Sequence, residues 1–197
     1  MSSAQRIIEY MHSNNGVTSA KDAVAEGFSY EGLRRAVHAG LIEKWGRGLY
    51  ALPETFDDEM FALQQRYARG IYSHGTALYL HGLSDRIPTK YQMTFPEHYN
   101  THRLPRELVE VFFSGKDLHE SEVVSIDTVF GHKVFAYAPE RTLCDMLRPH
   151  VDADVSIVSS AFNKWAKSPT ADIAKMSKYS KLLKVEDKVR SYLEILL

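Results

Sequence analysis

Three short amphipathic segments and a glycine-flanked hairpin fill residues 1–54 and constrain this chain more than anything that follows. From Gln5 to His12, Ile7, Ile8 and Met11 share one helical face, and Asn14, Asn15 and Gly16 end the run. Ser19 and Asp22 have the spacing of a capping box, which starts a second helix with Ala20, Ala23 and Val24 turned inward. Gly27 supplies the positive φ that a tight turn between helices requires, and Phe28 fills the core at that corner. Ser29 is a good N-cap for a third helix. There Leu33, Ala36 and Val37 fall at i, i+3 and i+4 and face the core. Tyr30, Arg34 and His38 share the outer face, with Glu31 and Arg35 beside it. Gly40 closes the helix. Leu41–Trp45 and Leu49–Leu52 are β-type runs around Gly46-Arg47-Gly48, a tight hairpin with Arg47 at its tip.

Helix, helix, turn, helix and hairpin is the order of a winged helix-turn-helix, and it points to DNA as a partner. An arginine on the third helix can read the O6 and N7 edge of guanine or clamp a phosphate. An arginine at the hairpin tip can reach a neighbouring groove or the backbone. The expected contact residues are Ser29, Tyr30, Arg34, Arg35 and His38 on and before the helix, with Lys44 and Arg47 on the wing. The bland alternative is a protein-interaction module whose arginines are only solvated, and the balanced charge of residues 1–54 favours it somewhat. One recognition helix reads few bases, so binding to inverted repeats as a monomer or a cooperative dimer on DNA is expected.

The 197 residues suffice for one large or two small domains, and 44% hydrophobic content provides a core. A net charge of −1 argues against a protein that coats nucleic acid without specificity, although a local basic face remains open. The single cysteine, Cys144, rules out an internal disulfide and a cysteine-rich zinc site, and fits a cytoplasmic location. Met1 to Arg6 leads into no apolar stretch, so no signal peptide is expected. No apolar run approaches the roughly 18 residues a membrane span needs. The end, with Leu193, Ile195, Leu196 and Leu197, is apolar but short.

Pro53 and Glu54 mark the expected boundary with a second domain over residues 55–197. Helices are predicted at Asp57–Tyr67 and Ser73–His81. Strands are predicted at Tyr91–Phe95, Leu108–Phe113, Glu122–Asp127 and His132–Tyr137. Further helices follow at Pro139–Leu147, Val151–Ala166, Thr170–Leu182 and Val185–Leu196. The fold class is therefore mixed α+β: a winged helix-turn-helix followed by an α/β domain with a helical C-terminus. Candidate chemistry is thin. His74 and His81 stand about 10 Å apart along a helix, too far to share one metal. His98 and His102 lie in a Pro-bounded loop, and Ser73, His74 and Asp85 lack the strand–turn–helix setting of a nucleophile. No phosphate-cradling loop is present. Neither a catalytic residue, nor a metal site, nor a cofactor is expected, and Cys144 reads as core. Lys164, Lys167, Lys175, Lys178, Lys181 and Lys184 form a candidate basic face, opposed in that stretch mainly by Asp172, Glu186 and Asp187. They suit a DNA backbone or an acidic or RNA-associated protein partner, or are simply solvated.

Three landmarks in order complete the reading: Gly46-Arg47-Gly48-Leu49-Tyr50, then Ser73-His74-Gly75-Thr76-Ala77-Leu78-Tyr79-Leu80-His81-Gly82-Leu83, then Ala138-Pro139-Glu140-Arg141-Thr142-Leu143-Cys144-Asp145-Met146. Together they resemble the AbiEi family, the antitoxins of type IV, abortive-infection toxin–antitoxin systems, regarded as transcriptional regulators of viral defence. The resemblance spans nearly the whole chain and is weakest in the last thirty residues. It implies a winged helix that binds inverted repeats in its own promoter and represses its operon. It also implies a C-terminal domain that opposes a nucleotidyltransferase-like toxin, with no stable complex required. A ligand-sensing winged-helix regulator without a toxin partner is the alternative.

Overall fold

The computed structural model describes residues 3–55 and 58–196, with side chains from 5 to 194. Asp57, the expected first residue of the fourth helix, and the side chains of the apolar end from Ile195 onward lie outside what is described. The chain divides into two compact units, Met1–Ala68 with Asp127–Lys133, and Arg69–Ile126 with Val134–Leu197.

The first unit runs α1 (Ser3–His12), β1 (Val17–Ser19), α2 (Ala20–Ala25), α3 (Tyr30–His38), β2 (Glu43–Gly46), β3 (Leu49–Ala51) and α4 (Glu59–Arg66). The strands form an antiparallel sheet in the order β1-β3-β2, with Val17 and Glu43 flanking Ala51, and Thr18 and Lys44 flanking Tyr50. This is the winged helix-turn-helix expected. β1 was not: Val17 and Thr18 bury against β3, but three residues are too few to show a period of two. Ile7, Met11, Ala23, Leu33, Ala36, Ile42, Tyr50 and Leu52 make the core, and each large member contributes about 1.5–3 kcal/mol. Val24 corrects the inward assignment made for it. It is 38% exposed, because a helix of six residues buries one face and Val24 turns about 100° away from Ala23.

α4 also belongs here, so the division falls at 68/69 where the sequence suggested 54/55. Phe61 and Ala62 of α4 cover Val17, Leu49 and Ala51. Asp58 caps α4, its Oδ1 accepting from Phe61 N at 3.0 Å. The other oxygen, Oδ2, takes the Thr128 hydroxyl and His132 Nδ1, the latter at 2.9 Å. His132 stacks on Phe61, its Nε2 lies 3.1 Å from Asn15 O, and Asn15 Nδ2 donates to Gly131 O at 2.7 Å. These bonds tie segment 127–133 to residues 70 to 117 positions earlier.

The second unit contains β4 (Ile71–Tyr72), α5 (His74–Leu80), β5 (Tyr91–Pro96), β6 (Val109–Ser114), α6 (Lys116–His119), β7 (Val123–Asp127) and β8 (Lys133–Tyr137). α7 (Pro139–Met146), α8 (Val155–Ala166), α9 (Ile173–Leu182) and α10 (Glu186–Leu196) follow. The sheet order is β6-β5-β4-β8-β7, with β4 antiparallel to β5 and parallel to β8, and β5 parallel to β6. A helical core of Leu78, Leu143, Phe162, Trp165, Met176 and Tyr179 joins α5 to α7, α8 and α9. Short β4 and α6 were not anticipated. α8 and α9 begin later than expected, because Asp154 and Asp172 act as N-caps, accepting from Ser156 N at 2.8 Å and Lys175 N at 2.9 Å. No described helix is long and apolar enough to cross a membrane.

Candidate nucleic-acid interface

Local hydrogen bonds fix α3 before any partner is considered. Ser29 Oγ accepts from Gly32 N at 3.0 Å, so this residue, expected among the contacts, is also the N-cap. At the other end Gly40 N bonds Val37 O and Leu41 N bonds Ala36 O, the paired geometry of a Schellman motif. Ser19 caps α2 through Asp22 N at 3.0 Å and donates its own proton to Asp22 Oδ2 at 2.6 Å. Between the helices Phe28 lies against the core, touched by the Tyr10 ring and by the Arg6 guanidinium.

Leu33 and Ala36 are buried, and the residues expected outside are outside. Tyr30 is 62% exposed, and Arg34, Arg35 and His38 are exposed. The arginines do not share one flank. Tyr30, Arg34 and His38 follow each other at helical spacing on one side. Arg35 is turned about 100° from Arg34 and lines a cavity of about 240 Å³ between α1 and α3, with Ile7, Phe28 and Leu41. Arg34 has a neighbour of opposite sign: Glu31 Oε2 lies 3.6 Å from Nη1, both side chains largely solvated. Such a pair is weak and can give way to a phosphate.

The wing follows from the β2–β3 pairing. The register shifts between Lys44 and Gly46, and Gly48 turns the chain at φ 76, a conformation a side chain would disfavour. Arg47 sits exposed at this turn, and Lys44 is exposed opposite Tyr50. Lys21 on α2 is a further exposed cation that received no role from the sequence. Nothing marks it there except its position in the helix before the turn.

The C-terminal lysines do not form one continuous free face. Lys175 and Lys178 both meet the Glu122 carboxylate, at 3.3 and 3.9 Å, and Glu122 holds the Lys175 ammonium above its ordinary range. Lys164 Nζ donates to Asp85 Oδ2 at 2.8 Å. Lys167, Lys181 and Lys184 are exposed. Glu122 and Asp85 lie far away in sequence, so the pairing could not be seen there.

The two landmarks of the second unit resolve into buried polar networks. Ser73 and His74 are 0% and 3% exposed. Ser73 Oγ contacts His74 Nδ1 at 2.9 Å and accepts from Thr94 Oγ1 at 2.9 Å. His74 stacks on Phe112, and burial, with Arg148, His150 and Arg141 nearby, pushes its imidazole down to about 3. His81 Nε2 lies 2.8 Å from Tyr137 O. Glu140 Oε1 accepts from Trp165 Nε1 at 2.9 Å and Asp172 N at 3.1 Å, fastening α8 and α9 to α7. Arg141 lies over the Tyr137 ring, donates to Leu118 O and Ser121 O, and pairs with Asp145 at 3.3 Å. Cys144 is fully buried, and burial pushes its thiol up to about 12. Among the described residues no group of His, Cys, Asp or Glu has the arrangement to hold a metal ion.

The first unit is a three-stranded winged helix-turn-helix with an exposed, cation-bearing third helix. Residues 5–53 match the family described as transcriptional regulator, AbiEi antitoxin. The match supports an antitoxin or transcriptional-regulator role for that segment. No curated protein sequence matches the chain. The crystal structure of the RV2827C protein from Mycobacterium tuberculosis is similar, with a TM-score of 0.56 and 15% identity over 91% of this chain and 71% of that one. At that identity the likeness is one of fold.

Proposed function

We propose that the protein is a cytoplasmic antitoxin of a type IV, abortive-infection and phage-defence system that also binds inverted repeats in its own promoter and represses its operon. The observation that carries this reading is the α3 surface, where Tyr30, Arg34 and His38 stand exposed in one row on a helix capped at both ends. The family match over residues 5–53 supports it. In the complex Arg34 reads a base edge or clamps phosphate, Arg35 takes the backbone on the other flank, and Lys44 and Arg47 follow the adjacent groove. Binding is by a monomer or a cooperative dimer. The second unit opposes a nucleotidyltransferase-like toxin, in function and without a stable complex. No catalytic step belongs to this reading. The burial of Ser73, His74 and Cys144 supports that, since no substrate reaches them as they stand.

A full chain carrying Arg34→Ala and Arg35→Ala tests both halves. In gel shifts with the DNA upstream of its gene, specific binding is lost. In growth rescue against the neighbouring toxin, protection persists. Unchanged binding contradicts the α3 assignment, and lost rescue means that protection acts through repression alone. A ligand-sensing regulator remains the second reading, favoured by a cavity at the end of α7. A nucleotidyltransferase gene beside this one decides for the antitoxin, and a metabolic operon for the sensor.

A further inference from the structure

Where α7 ends, the second unit holds a cavity of about 430 Å³. Small-molecule sites occupy roughly 300–1,000 Å³. The interior is apolar, with Met146, Leu147 and Val158 buried in the lining. Tyr192 also lines it, and its ring is fixed by flat stacking on Phe162 with centroids 4.6 Å apart.

Two cations, Arg148 and Lys188, belong to the lining, and both are anchored. Arg148 Nη1 lies 3.7 Å from Asp145 Oδ1, a carboxylate that is itself 2% exposed. Lys188 Nζ donates to Leu147 O at 2.8 Å, the carbonyl at the end of α7. A guanidinium has five donors and an ammonium three, so both heads keep donors to spare. Among the described residues no carboxylate belongs to the lining. Asp154, in the segment along one side, is turned to other work, capping α8 and pairing with Arg86 at 3.3 Å. Asp145 is shared between Arg141 and Arg148, so it neutralises Arg148 only in part.

Positioned cations above an apolar interior fit a small organic anion with an apolar body. The geometry points to a binding site for a small carboxylic acid with an aromatic or branched side chain, its carboxylate between Arg148 and Lys188 and its body over Val158 and Tyr192. An apolar interior of this kind disfavours a strongly hydrated dianion such as free phosphate. Anchored cations lose little freedom on binding, which favours recognition of a ligand this small.

The test is titration calorimetry of the full chain with indole-3-acetate, phenylacetate and 4-methyl-2-oxopentanoate, beside the neutral indole-3-acetamide. At least one acid binds saturably with Kd below ~1 mM. Replacing indole-3-acetate by its amide weakens binding about tenfold or more, as loss of a charge-assisted contact should. Lys188→Met weakens the acid about tenfold and leaves the amide unchanged. Should loss of the Leu147 contact unfold that variant, Val155→Trp serves instead. Val155 lines the cavity yet is 69% exposed, so a tryptophan there blocks entry without entering the core. Equal binding of acid and amide, acid affinity untouched by Val155→Trp, or no saturable binding by any of the three acids overturns the proposal. No DNA is present in the assay, so its failure leaves the promoter reading intact.

Discussion

The two units use the same kinds of side chain in opposite ways. In the first, Arg34, Arg35 and His38 stand in solvent on a helix whose core face is aliphatic. In the second, Glu140, Arg141 and Asp145 are buried and satisfy one another, a backbone group or an indole, and buried His74 meets the Ser73 hydroxyl. Burial separates the two cases, since a solvated arginine is available to a phosphate, whereas Arg141 is already spent on the 118–121 segment and Asp145. The motifs that look most chemical in the second unit thus hold α6, α8 and α9 onto α7. Its ligand-facing groups are the partly solvated Arg148 and Lys188.

Removing Arg141 should show the difference most strongly. Arg141→Met leaves Asp145 buried beside an incomplete partner and two carbonyls, Leu118 O and Ser121 O, without their donor, and should cost about 3–5 kcal/mol in denaturant unfolding of the second unit. A cost within experimental error would mean that the network is ornamental. The pH dependence comes next. His74 is held near 3 in the folded chain and returns to 6.5 when unfolded, so the unfolded state binds the extra proton between those values. Stability from this group is therefore complete above pH 6.5 and falls as pH drops toward 3, by at most about 1.4 kcal/mol per pH unit. His74→Asn, an exchange the residue's φ of 51 tolerates, should flatten the unfolding profile by up to one proton over that window. An unchanged slope would contradict the buried neutral imidazole.

For the exposed cations of the first unit the effects should appear in binding, with stability little altered. Arg34→Ala should cost about 1–3 kcal/mol of promoter affinity in fluorescence anisotropy while thermal stability stays within about 0.5 kcal/mol. Ser29→Ala removes the α3 cap and should cost about 1 kcal/mol of stability, largely restored by Ser29→Asp. The smallest effect belongs to Glu31→Gln. Freeing Arg34 from its 3.6 Å neighbour should tighten DNA binding by less than about 1 kcal/mol.

The winged helix was legible because its signals are local: Ser19 and Ser29 caps, the Leu33-Ala36-Val37 stripe and the glycines of the wing. The strands at Tyr91, Val109, Val123 and Lys133 were legible for the same reason. What was missed depends on distant partners or on very short elements. β1 is defined by β3, and α4 belongs to the first unit through Phe61, Asp58 and a histidine 74 positions away. Arg35 read as lying beside the Arg34 face, but the cavity it lines with Ile7, Phe28 and Leu41 depends on α1 and was not visible. The lysines of α9 read as a face until Glu122 was found among them. Asp154 and Asp172 were available as start signals, and counting them as N-caps would have placed both helix starts.

Promoter binding in this reading rests on the exposed cations of α3 and the wing. Its most direct test is the anisotropy of labelled upstream DNA titrated with the full chain at several salt concentrations. Wild type should lose affinity steeply with salt, and Arg34→Ala with Arg47→Ala should bind more weakly and with a slope shallower by about 2 phosphate contacts. Affinity and slope identical in wild type and variant would contradict the account.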